Sequence, residues 1–386
     1  MSFFEELQGA AVFKHALLRQ YLRPFVTKIG SRSTGGQVAY LDAFAGAGMY
    51  DDGSPGSPRL ALETAEALSA FRELRCYFVE SNSNNFERLS ELIASSQVVG
   101  KAKAMRGDAA HYLQPVLDDV GDLPLLVFVD PFGLGIPFDD LIGKVCGRTS
   151  WVNGRRAGPA TEVLVNFVHA GVYRNASKVT VRSDDRVQHA NAAAVVERVN
   201  ATFGGAWWQA VWAAGGPTER RVAEIRDKYA AKVVAAAGGG WRKYTVQVQD
   251  SWKGRPVYDL ILFTQSEHGM WVFNEATSLA RKEFREFCNE DERPTLWDPE
   301  DEWIAVLERN VHELLRAGRP IRVFDHIEAI FGSTLGFARG THLRAALRKL
   351  NEAGSLAEPP KGEFDKMVLM RNPHGLTDLH QASSLF

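Results

Sequence analysis

Apolar runs of strand length alternate with helical spacings through the first half of this chain. Residues 13–23 carry Leu17, Leu18, Tyr21 and Leu22 at helical spacing and predict a helix stopped at Pro24. Residues 38–42, Val-Ala-Tyr-Leu-Asp, predict a buried strand that runs into Gly46 and Gly48. Ser57 followed by Pro58 opens a helix carrying Leu60, Ala61, Ala65 and Leu68. Residues 75–81 predict a second strand ending at Glu80, and 101–105 a short third ahead of Gly107 and Asp108. Residues 125–129 are a wholly apolar fourth strand, and 162–168 a fifth. Strands alternating with helices predict an α/β fold with a parallel sheet.

The second half changes character. Residues 171–240 are polar and then helical, an insertion. Two strands follow, 244–251 and 257–265, around a turn at 253–256. Such a hairpin after the fifth strand completes a seven-stranded sheet. A charged helix over 274–288 closes this first domain, residues 1–289. Residues 290–301 are acidic, hold two prolines and predict a linker. Helical stretches at 303–315, 323–331 and 341–353 precede a short hairpin ending near Met370. That order predicts a C-terminal winged helix-turn-helix domain, residues 302–373, followed by a frayed tail at 374–386.

The chain's 386 residues leave room for these two domains, and 45% hydrophobic content with 24% charged suits globular packing. The net charge of -2 gives no global nucleic-acid footprint, so any basic patch is local. Cys76, Cys146 and Cys288 lie far apart without a C-x-x-C pair and are expected in the core; no metal site is expected. No long apolar run marks a signal peptide or membrane span, so a cytoplasmic protein without membrane attachment is expected.

A strand, an acid and then G-x-G present backbone N–H groups to an adenosine-bearing ligand. A dinucleotide fingerprint needs a third glycine three residues later and an acid about 20 residues on. Here Asp51 stands at that position and Glu80 is too distant. The run Asp42-x-Phe44-x-Gly46-x-Gly48 instead resembles motif I of S-adenosylmethionine (SAM) dependent methyltransferases. On that reading Asp42, Phe44, Gly46 and Gly48 surround SAM and Glu80 takes the ribose hydroxyls. Asp108 either receives the adenine amine or caps the next helix. Lys14 and Tyr21, on the helix before the first strand, are candidates to reach the ligand or plain surface and core residues.

Asp130-Pro131-Phe132-Gly133 breaks the fourth strand. It resembles motif IV of amino-methyltransferases, in which an acid or amide and the next carbonyl accept hydrogen bonds from an exocyclic amine. Phe132 stands for the usual second proline and Gly133 for the aromatic. This variant resembles the one in tRNA guanine-N2 methyltransferases. Asp130, Pro131 and Phe132 are the candidate catalytic residues. Asn166, Phe167 and His169 lie near the end of the fifth strand and are expected to line a pocket. C5-cytosine chemistry is disfavoured because no Pro-Cys occurs.

Arg174, Lys178, Arg182 and Arg186 form a basic run that could grip a phosphate backbone but is read, diluted by Asp184 and Asp185, as a solvated loop, and Trp207, Trp208 and Trp212 are read as core rather than as a base-stacking platform. From Arg316 to Arg371 ten Lys/Arg face six Asp/Glu. Arg339, His342, Arg344, Arg348 and Lys349 cluster on or near the third C-terminal helix. They are candidate nucleic-acid contacts or ordinary charge on a protein-binding winged helix.

Together these motifs resemble the three-Cys-motif partner (TcmP) family. The resemblance rests on Lys14 to Tyr21, Leu41 to Gly48, Gly56-Ser57-Pro58, Phe78-Val79-Glu80, Phe128 to Gly133 and Leu164 to Phe167. It implies a methyltransferase-like Rossmann domain and a partner protein bearing a three-cysteine motif, of radical-SAM type. The expected function is a SAM-dependent N-methyltransferase acting on a nucleobase amine in RNA or DNA. The rival is a non-catalytic SAM- or nucleotide-binding protein that recruits nucleic acid or that partner.

Overall fold

The structure is a computed structural model describing residues 9–131, 133, 135–152, 155–176, 186–251, 254–288 and 299–373. Phe132, Lys178, Arg182, most of the expected linker and the expected tail lie outside these residues. The chain forms two compact units, Met1–Gln265 and Ser266–Phe386.

The first unit opens with α1 (Gly9–Gly30), β1 (Gln37–Asp42), α2 (Ser57–Leu68), β2 (Glu73–Glu80) and α3 (Ser83–Ala94). It continues with β3 (Ala102–Arg106), α4 (Ala109–Val120), β4 (Leu125–Val129) and the short α5 (Phe138–Asp140). A small hairpin, β5 (Ser150–Val152) and β6 (Arg155–Ala157), precedes β7 (Thr161–Val168). Then come α6 (His169–Ala176), α7 (Arg186–Phe203), α8 (Trp207–Ala213), α9 (Thr218–Ala237), β8 (Arg242–Gln249) and β9 (Pro256–Thr264).

Seven strands pair in the order β3-β2-β1-β4-β7-β9-β8. The pairs from β3 to β7 are parallel, and β9 runs antiparallel to both its neighbours. This is the Rossmann-like sheet of class I methyltransferases. The strand order reverses between β1 and β4, so the carboxyl ends of those strands open a crevice where ligands bind in α/β sheets. Central position explains composition: all five residues of β4 are buried, whereas edge strand β8 alternates.

Helix α1 departs from the sequence expectation by running through Pro24 to Gly30. An interior proline costs about 3 kcal/mol. Phe25 and Val26, just beyond it, are 4% and 0% exposed. Burying two such side chains contributes roughly 3–6 kcal/mol, enough to offset the proline. The β5–β6 hairpin was not foreseen, because three-residue strands carry too little alternation; the Asn153-Gly154 dipeptide was its only sequence signal. Trp208 is fully buried and Trp207 and Trp212 pack partly against the same core.

The second unit holds α10 (Glu267–Phe287), α11 (Pro299–Leu315), β10 (Ile321–Arg322), α12 (Ile327–Phe331), α13 (Gly340–Glu352) and β11 (Val368–Leu369). Leu307, Val311 and Leu315 of α11 and Leu343, Leu347 and Leu350 of α13 are buried at helical spacing and form its core. β10 and β11 pair antiparallel, and Leu356 bridges Arg371. The helix expected to close the first domain belongs here instead. Buried Asn274 of α10 donates to the Ala338 carbonyl at 2.9 Å and accepts from the Gly336 N–H at 2.7 Å. Ser278 donates to the Phe337 carbonyl, and Glu275 accepts from the Gly340 N–H. The polar face of α10 thus satisfies the backbone that leads into α13. Among the described residues no helix is long and apolar enough to cross a membrane.

Candidate active site

Four segments converge at the carboxyl ends of β1, β2 and β4. They are the glycine turn after β1, the end of β2, the Asp-Pro corner after β4 and the N-terminal part of α1.

Asp42 ends β1, a strand buried on both faces, and its side chain has no exposure. It accepts from the Phe44 N–H at 3.2 Å and from the Tyr40 hydroxyl at 3.3 Å. Burial pushes its carboxyl up to about 7, and the charge of Asp130 adds to this; Ser57, the Phe44 N–H and Lys14 act against it without cancelling it. Phe44 is half-buried against the core.

The two glycines of the turn have different reasons to be there. Gly48 has φ 81°, and a Cβ on it would stand 2.4 Å from Leu92 Cδ2 of α3, so a side chain there would have to displace the end of Leu92 as well as adopt a positive φ. Gly46, with φ 65°, faces open space. Only the second geometry leaves backbone accessible to a ligand. The sequence assigned both glycines to ligand approach; the structure gives Gly48 to the α3 contact.

Glu80 fixes the turn to β2. Its Oε2 accepts the Gly46 N–H at 2.8 Å and its Oε1 the Asn82 N–H at 2.5 Å. Each carboxylate oxygen keeps a further lone pair. Asp108 resolves toward capping: its Oδ1 accepts the Ala110 N–H at 2.8 Å at the start of α4, and its side chain is exposed.

Asp130 lies one residue past β4. Lys14 of α1 reaches its Oδ2 at 2.5 Å, and the Asn166 amide of β7 donates to its Oδ1 at 2.5 Å. Burial, the largest influence on Lys14, favours the neutral amine, but Asp130, Tyr50 and Asp42 outweigh it and hold the ammonium above its ordinary range. Next to it His15 is buried, and desolvation with Lys14 beside it depresses its imidazole to about 3. Its ring lies 5.6 Å from that of Tyr50, and its Nδ1 has no hydrogen-bond partner among the described residues. Pro131 is buried.

Asn166 is also buried, at 5% exposure, and it walls a mostly apolar cavity of about 40 Å3 with Pro131, Gly133, Val165 and Phe167. Sequence reading placed Asn166 near the pocket but gave it no role. Tyr21 does not reach the crevice; it donates to buried Glu162, which also accepts from Thr264 at 2.7 Å. His169 heads α6 and pairs with fully buried Asp259 at 2.6 Å, which Arg226 of α9 holds at 3.0 Å. That trio ties the inserted helices to β9.

The C-terminal candidates divide. His342 is buried, accepts the Arg339 N–H on its Nδ1 at 2.8 Å and lies 3.4 Å from Glu300. It organises the start of α13 and cannot meet a phosphate, which corrects the sequence expectation. Arg344 donates to the Gly362 carbonyl and stacks over Phe364 at 4.1 Å. Lys349 pairs with Glu308 at 3.3 Å, and Arg348 is exposed.

No protein-family model matches the chain, and no curated protein does. Solved structures similar to it include the O-methyltransferase TomG from Streptomyces achromogenes in complex with SAM, at 14% identity. That match covers 68% of this chain and 92% of that one with a TM-score of 0.30. An O-methyltransferase from Bacillus cereus in complex with SAH has 14% identity, 64% and 80% coverage and a TM-score of 0.32. A putative rRNA methylase from Clostridium thermocellum has 10% identity, 63% and 96% coverage and a TM-score of 0.28. At these values the likenesses bear on no residue assignment.

Proposed function

We propose that the first unit is a SAM-dependent methyltransferase acting on an exocyclic amine of a nucleobase in RNA or DNA. The observation that carries this reading is the meeting of Asp42, Glu80 and Asp130 at three adjacent strand ends around the open face of Gly46. The residues fit the cofactor: Gly46 admits close approach, and Glu80 keeps lone pairs for ribose hydroxyls. Asp108 keeps one oxygen beyond its capping bond for an adenine amine. SAM, when bound, supplies a methyl group on a sulfonium.

The chain's own residues then position the acceptor. Asp130 and the Pro131 carbonyl orient an amine so that its lone pair faces the methyl, the positioning that dominates such displacements. These residues would hold the amine as the methyl acceptor, and one of its N–H protons would be lost to solvent. Lys14 and Asn166 donate to the two Asp130 oxygens and hold the carboxylate in place. An amine suits such a site because it attacks without prior deprotonation.

The second unit is read as a winged helix, with α13 as the recognition helix. Arg339, Arg344, Arg348 and Lys349 are its proposed nucleic-acid contacts. A three-Cys-motif protein is the alternative partner. A second reading of the first unit, cofactor binding without catalysis, is favoured by one observation: both Asp130 oxygens already hold donors within the chain. Transfer of a radiolabelled methyl to tRNA, rRNA and DNA separates the two. Transfer by the wild type, lost in Asp130→Ala with SAM affinity retained, supports the enzyme. No transfer to any of the three, with SAM bound, supports the binding protein.

A further inference from the structure

We propose that Asn166 Oδ1 receives a hydrogen bond from the methyl acceptor, and that the acceptor is therefore a group presenting N–H, such as an exocyclic amine. This rests on the methyltransferase reading above and adds the residue that recognises the accepting edge.

The orientation of the Asn166 amide is dictated by chemistry. The Asn166 NH2 faces Asp130 Oδ1 at 2.5 Å and donates to it, while Lys14 donates to Oδ2. The carbonyl oxygen is therefore turned to the other side. There it is buried and has no donor among the described residues. An unsatisfied buried acceptor costs about 1–3 kcal/mol, so a fold that keeps one has a reason for it. The reason is next to it. Asn166 lies beside Asp130, the residue proposed to hold the amine, so an N–H of the acceptor is the donor this oxygen lacks. Two successive hydrogen bonds, Lys14 to Asp130 and Asn166 to Asp130, hold this oxygen in place. Asp130 then acts on the acceptor partly through Asn166.

The test uses the full chain saturated with SAH, the demethylated cofactor. Binding of guanosine, adenosine and cytidine is compared with that of inosine, purine riboside and pyrimidinone riboside, their counterparts without the exocyclic amine, by saturation-transfer NMR. The wild type is expected to bind at least one amine-bearing nucleoside about tenfold more tightly than its counterpart. Asn166→Leu removes that preference, leaves SAH affinity unchanged and does not lower stability by more than a lost Asp130 hydrogen bond. Asn166→Asp keeps an acceptor oxygen at this position and is expected to keep the preference for the amine. An Asn166→Leu protein that keeps the wild-type preference overturns the assignment of Asn166 alone. SAH binding with no nucleoside bound overturns the nucleobase acceptor and this proposal with it. Failure of SAH to bind the folded wild type overturns the cofactor reading itself, which calorimetry reads separately.

Discussion

Asp42 and His15 make opposite and separable contributions to the pH dependence of stability. Asp42 is an acid whose carboxyl is raised from 3.8 to about 7 in the folded chain. Its contribution is fully present below the unfolded value and is lost as pH rises through about 7. His15 is a base depressed from 6.5 to about 3. Its contribution is present above 6.5 and is lost as pH falls through about 3. Each displacement, at about 1.4 kcal/mol per pH unit, is on the order of 4 kcal/mol. Between the two unfolded values the slopes cancel, so the wild type shows little net pH dependence from this pair. Asp42→Asn, with its oxygen kept on the Phe44 N–H, removes one slope; its stability relative to the wild type rises by about 4 kcal/mol from about pH 4 to about pH 7. His15→Asn does the reverse, losing stability relative to the wild type over the same range. Urea unfolding at half-unit pH steps reads both. Variants that track the wild type at a constant offset throughout would refute the charge assignment.

Other outcomes follow from single contacts. Gly48→Ala displaces the end of Leu92 at positive φ and is expected to cost about 1–2 kcal/mol in thermal unfolding, whereas Gly46→Ala costs about 1 kcal/mol and mainly weakens SAM binding. Lys14→Met leaves the mostly buried Asp130 carboxylate without its cation and is expected to cost about 3–5 kcal/mol, read by denaturation. Asn274→Ala orphans the Gly336 N–H and the Ala338 carbonyl and should destabilise the second unit by about 2–4 kcal/mol, read by hydrogen exchange over residues 336–340.

The sheet was legible because its central strands are buried on both faces, as in Leu125 to Val129, and end at acids or glycines. Glu80 and Asp130 were legible for the same reason: each is a carboxylate where an apolar run stops. Partnerships across the sheet were not. Lys14 meets Asp130 across 116 positions and Asn166 meets it across 36, and no local pattern encodes such pairs. The continuation of α1 through Pro24 and the burial of His342 have the same origin, since tertiary packing overrode a local breaker in one and a basic neighbourhood in the other. Gly48 shows a further gap: a glycine packed against a neighbouring helix and one facing open space look alike in a G-x-G motif.

Calorimetric titration of the wild type and Glu80→Ala with SAM tests the central claim most directly. The account predicts stoichiometric SAM binding by the wild type and its loss in the variant, because Glu80 fixes Gly46 and is the proposed acceptor for the ribose hydroxyls. A folded wild type that binds no SAM would contradict it.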